Sequence, residues 1–171
     1  METWDAIRAR RNVRQYTDQP IASEDLDRIL EAGRRSPSSS NRQRWDFVAC
    51  TDRRQLEELS NVWQSGKHVA TSAATIVLLA PQTGDPEERA SIDYDLGQAT
   101  MSIMLAAADL GIGSCHSAVG DQDLARRILG HPEDRRGALM IALGYPADRP
   151  LVPVRRPARR PFDEVVHRGH W

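Results

Sequence analysis

At 171 residues the chain is long enough to bury one substantial core. With 40% apolar residues, 27% charged residues and a formal net charge of −1, it is neither disordered nor broadly polybasic. No apolar run reaches bilayer length, the start METWDAIRARR lacks a signal-peptide core, and two distant cysteines with five scattered histidines offer no paired metal-ligand spacing. These features predict a cytoplasmic protein with reduced thiols, no metal and no membrane partner.

In chain order, Thr3 can cap a short helix with Trp4 and Ile7 on one side and arginines on others. Ser23 can cap a second helix, with Leu26, Ile29 and Leu30 at helical spacing and an end near Gly33. The polar stretch SPSSSNRQRW connects it to a strand, WDFVACT, followed by an amphipathic helix through Leu56, Leu59 and Val62. ATIVLLA reads as a buried strand. From Leu96 to Leu110 the chain is nearly all small or apolar, which predicts a helix buried on most sides, with Asp93, Tyr94 and Asp95 at its start. SCHSAV is a short extended segment, DQDLARRILG a helix between Asp121 and Gly130, and GALMIALGY a last buried strand.

Residues 146–171 hold five of the ten prolines and six arginines, and read as an extended arm on a single domain spanning 1–171. The irregular alternation of helices and strands predicts an α+β or mixed α/β layered domain with about four core strands.

Three stretches could carry chemistry. RARRNVRQY places Arg8, Arg10, Arg11 and Arg14 within seven residues, across a helix end, and Arg155, Arg156, Arg159 and Arg160 form a second basic cluster. A charge run is most often a solvated face. Two such clusters on a chain of net charge −1 point instead to a local phosphate site, which guanidinium forks bind bidentately. No nucleic-acid recognition motif accompanies them. The hydroxyl-rich loop at Ser36–Trp45, taken alone, reads as a turn whose side chains bond their own backbone. In LGIGSCHSAVG, Gly111, Gly113 and Gly120 allow positive φ or close approach to a ligand, without a dinucleotide fingerprint.

Taken in order, RRNVRQY, SPSSSNRQRWDF, LGIGSCHSAVG, LGHPEDRRGALMIALGYPADRP and RRPFDEVVHRGHW resemble the motifs of the nitroreductase family of FMN-dependent oxidoreductases. The resemblance covers almost the whole chain, as a compact member without the excursion that larger members use to roof the active site. It implies an α+β, three-layer fold with a central mixed, mainly antiparallel sheet of about four to five strands flanked by helices. It also implies a homodimer with two FMN sites, both built at the subunit interface, and NADH or NADPH as electron donor.

By resemblance, Arg10, Arg11 and Asn12 approach the flavin phosphate, with Arg160 and Arg159 reaching it from the tail. Arg14 lies near the pyrimidine edge, where Lys67 or His68 supplies a second cation. His116, Ser117, Ala118 and Val119 line the flavin edge at N5 and O4. Pro37, Ser38, Ser39 and Asn41 contact the partner's flavin. No side chain is expected to be catalytic, because flavin chemistry needs no protein nucleophile. Arg44 stands where the family usually has proline, and Met101-Ser102 where a Gln-Asn pair is common. The implied function is hydride transfer from NAD(P)H through flavin N5 to an electron-poor acceptor such as a nitroaromatic or quinone. The alternatives are a flavin-binding protein with little turnover, or a small nucleic-acid binder using its basic arms.

Overall fold

In the computed structural model of the chain, which describes residues 1–171, the elements run α1 (Thr3–Ala9), α2 (Ser23–Arg34), β1 (Asp46–Cys50), α3 (Arg53–Leu59), β2 (Ala74–Pro81), α4 (Pro86–Asp109), β3 (Gly113–Ala118), α5 (Gln122–Leu129) and β4 (Arg135–Gly144). The four strands form one sheet in the order β1-β2-β4-β3, with every pairing antiparallel. The expected parallel component shrinks to a single-residue bridge, Asn12 to Ser114.

Side-chain alternation makes the sheet the middle of three layers. Ile76 and Leu78 of β2, with Ile141 and Leu143 of β4, face one way and pack against Ile29 of α2 and Ile92, Leu96 and Ile103 of α4. Val77, Leu79, Met140 and Ala142 face the other way, against Leu56 and Leu59 of α3 and Ala125 of α5. Both faces are covered, so β2 reads in the sequence as a continuous apolar run rather than an alternating one. Each fully buried Ile or Leu contributes about 1.5–3 kcal/mol of transfer free energy.

Helix ends follow local chemistry. The Asp85 carboxylate accepts from the Glu87 N–H, and Pro86 opens α4 where a missing N–H costs nothing. α4 therefore starts at Pro86, seven residues before Asp93, which with Tyr94 and Asp95 the sequence suggested as its start. Asp121 caps α5 through the Leu124 N–H at 2.8 Å, and Gly130 ends it at φ 69°. Thr3 and Ser23 turn out to be first helical residues, with neither side chain making a capping bond. No helix is long and apolar enough to cross a membrane.

Candidate flavin site

The basic segment after α1 lies along the sheet edge at β3. Val13 N–H donates to the Ser114 carbonyl at 2.9 Å, and the Tyr16 hydroxyl donates to the Val13 carbonyl at 2.6 Å. Burial pushes the Tyr16 phenol up, so it remains a donor. Close approach depends on Gly113, where an added Cβ would sit 2.7 Å from a Val13 methyl. Gly113 thus makes room for protein rather than ligand. So does Gly120, whose Cβ would meet the Trp63 ring at 2.7 Å, whereas Gly111 takes the positive φ of 74° that the sequence allowed.

This arrangement sets two cavities at the ends of the segment. The larger, about 740 Å³ and within the usual range for small-molecule sites, is lined by Arg10, Arg11 and Asn12 together with Arg155 and Arg159 of the arm. Trp4, Ile7, Met101 and Val154 supply its apolar lining. Arg11 is paired with Asp148 at 2.9 Å, and the guanidinium holds that carboxyl below the usual range. Arg10, Arg155 and Arg159 have no carboxylate partner; the Arg10 Nε is buried with no hydrogen bond, and one of its Nη atoms reaches Asn12 Oδ1 at 3.3 Å. Three unneutralised guanidiniums around one cavity fit a phosphate-bearing group.

Arg160 lies outside this lining. Its guanidinium turns to Glu164, at 3.3 Å from the carboxylate and 3.0 Å from the backbone carbonyl. Of the two tail arginines, Arg159 is the one placed at the cavity.

The smaller cavity, about 430 Å³, has no hydrophobic residue in its lining and brings together Arg14, Lys67 and His68 with Gln64 and Ser65. His68 is buried; its Nδ1 lies 3.2 Å from the Ser65 carbonyl, which can only accept, so that nitrogen carries the proton. Its Nε2 lies 3.3 Å from Ser117 Oγ, tying β3 to the turn at 66–69. Burial pushes the His68 pKa down, and the Arg14 charge adds to that direction. Both candidates for the second cation line the cavity; the neutral character of buried His68 leaves the charge to Lys67.

The remaining predicted residues are placed differently. Ser117 and Val119 bury their side chains, Val119 in the core layer with α3 and α5, so only their backbone is available to a ligand. Ala118 is half-buried and His116 exposed, and neither lines the two cavities. Pro37, Ser38, Ser39 and Asn41 also line neither cavity. Their loop sits against α4: the Ser39 N–H donates to both Asp95 carboxylate oxygens, at 3.1 and 3.2 Å. Ser38 Oγ accepts from the Gln43 N–H at 2.9 Å, and Gln43 Nε2 donates to Asn41 Oδ1 at 3.1 Å, so part of the loop does serve its own backbone. Ser40, Asn41 and Gln43 have φ of 52°, 53° and 49°. Such left-handed residues cost on the order of 1–3 kcal/mol each, least for asparagine.

Comparison with known proteins agrees with the architecture. The nitroreductase family profile matches residues 7–75 and 61–145. An Archaeoglobus fulgidus protein, provisionally named an NADH dehydrogenase/NAD(P)H nitroreductase, is 35% identical over 151 residues, 83% of this chain and 84% of its own. The NADPH-flavin oxidoreductase of Vibrio harveyi is 28% identical over 99% of this chain and 74% of its own. Among solved structures, an FMN-dependent nitroreductase from Clostridium difficile superposes with a TM-score of 0.83 at 25% identity, covering 97% of this chain and 98% of that one. The chain belongs to the nitroreductase family.

Proposed function

We propose that the protein is an FMN-dependent oxidoreductase that takes hydride from NADH or NADPH and reduces an electron-poor small molecule, a nitroaromatic or quinone. The observation that carries this reading is the cluster of uncompensated guanidiniums, Arg10, Arg155 and Arg159, around a cavity of about 740 Å³ in a chain of net charge −1. When bound, FMN supplies the N5 position that accepts hydride and passes the electrons on.

The protein's own residues bind, orient and exclude water. Arg10, Arg11 and Asn12, with Arg159 from the arm, hold the phosphate. Arg14 and Lys67 place positive charge where the reduced ring system gathers negative charge. The backbone of Ser117, Ala118 and Val119 lies against the ring edge. Pro37, Ser38, Ser39 and Asn41 reach the flavin of a second subunit, which explains a loop turned outward from its own cavities. The working unit is accordingly a homodimer.

Steady-state oxidation of NADH and NADPH, with a quinone and then a nitroaromatic as acceptor, tests the reading. Turnover with either acceptor is expected. Bound FMN without turnover on any donor would instead make the protein a flavin binder with little activity.

A further inference from the structure

The loop at 37–44 holds three residues at positive φ with no glycine among them, and its hydrogen bonds to other helices and strands all run to α4. Its anchors share one side of that helix. Ser36 Oγ donates to Ser102 Oγ at 2.8 Å, and the Ser39 N–H is bound by the Asp95 carboxylate. The Arg44 guanidinium reaches Ser91 Oγ at 2.9 Å, Glu88 Oε1 at 3.3 Å and Asp95 Oδ2 at 3.8 Å. Glu88, Ser91, Asp95 and Ser102 follow one another at spacings of three, four and seven, which lines them up on a single helical face. Asp95 and Arg44 are the inner members, with side chains only 4% and 13% exposed, so their attraction is poorly screened.

We propose that Arg44 and Asp95 are positioning residues that hold the strained loop in its outward shape before any cofactor arrives. This rests on the reading above, in which the loop meets the flavin of a second subunit. A left-handed run of serine, asparagine and glutamine relaxes unless its surroundings over-determine it. Asp95 fixes the start of the run through Ser39, and Arg44 fixes its end while its guanidinium, 3.8 Å from Asp95 Oδ2, holds that carboxylate in place. Preorganisation of this kind removes the ordering cost from the binding step. Proline at position 44 would stiffen the backbone but offer Asp95 no charge.

The test uses the full-length chain with Arg44→Ala, Arg44→Lys and Asp95→Asn, and Arg54→Ala as control, since Arg54 pairs only with Glu58 on α3. Two readouts are taken: trypsin cleavage after Arg42 in flavin-free protein, located by mass spectrometry, and the FMN Kd by fluorescence titration. Arg44→Ala and Asp95→Asn should each speed cleavage after Arg42 and raise Kd by about tenfold. The double variant should be no worse than the weaker single, and Arg44→Lys should recover part of both losses. Wild-type cleavage and wild-type Kd in Arg44→Ala and Asp95→Asn would overturn the proposal, as would a lowered Tm with both readouts unchanged. Wild-type protein that binds no FMN at all would strike the functional reading, while the cleavage rates would still decide whether the clamp preorganises the loop.

Discussion

Arg10 combines a buried Nε that makes no hydrogen bond with a place on the cavity wall and no carboxylate to neutralise it. A charge-assisted bond to phosphate is worth about 1.5–3 kcal/mol, so Arg10→Ala should weaken FMN binding roughly ten- to hundredfold. The arm offers a sharper comparison. Arg159→Ala should weaken binding more than Arg160→Ala, because Arg160 is occupied by Glu164. Equal effects in fluorescence titration would mean that the arm moves on binding. His68 supplies a pH dependence with a definite sign. Its folded pKa is lowered from 6.5, so as pH falls the unfolded chain takes up this proton first. Stability should be unaffected above that value and be lost on going from about pH 6.5 down toward the lower folded pKa. Denaturant unfolding of wild type and His68→Gln across this window should show the extra loss only in wild type; parallel curves would remove His68 from the account.

Among the elements, α4 is the one on which both site and fold depend. It lies against α2 so closely that an added Cβ at Gly33 would sit 2.8 Å from Cγ1 and Cδ1 of the fully buried Ile103. Glycine-to-alanine in a helix ordinarily stabilises by about 1 kcal/mol. Here overpacking, typically 1–3 kcal/mol, should outweigh it, so Gly33→Ala should lower Tm and Gly33→Ala with Ile103→Val should regain part of the loss. A Tm raised by Gly33→Ala alone would show that α2 can shift.

The same helix marks what the sequence made legible. Its apolar half, Leu96–Leu110, stands out by composition, and β1, β2 and β4 are visible as apolar runs, whereas β3, GSCHSA, reads only as a short extended segment. Its first turns are not, because Asp85-Pro86 resembles any loop and the polar residues after it hide a stripe. Glu88, Ser91 and Asp95 fall on one helical face, and that periodicity was the available signal for the clamp on Arg44. Arg44 itself drew attention only as a departure from the family pattern; its role needs the fold, since its partners lie more than forty positions away. Likewise, the resemblance puts Arg160 ahead of Arg159 at the phosphate, whereas the turn at Phe162–Glu164 draws Arg160 to Glu164 and leaves Arg159 on the cavity wall.

At the scale of the whole molecule, a single chain gathers the basic segment and the arm but leaves the hydroxyl loop away from both cavities. Trp4, Ile7, Tyr94, Met101, Phe162 and Trp171 are all exposed in the single chain. Both facts agree with a dimer in which each subunit completes the other's site. Sedimentation of flavin-loaded protein should give one dimeric species, and a stable loaded monomer would contradict it. The most direct test of the central claim is the flavin content of the purified protein together with its response to donor. The purified protein should be yellow and release about one FMN per chain, and its visible absorbance should bleach when NADH or NADPH is added without oxygen. A colourless protein that takes up no added FMN would contradict it.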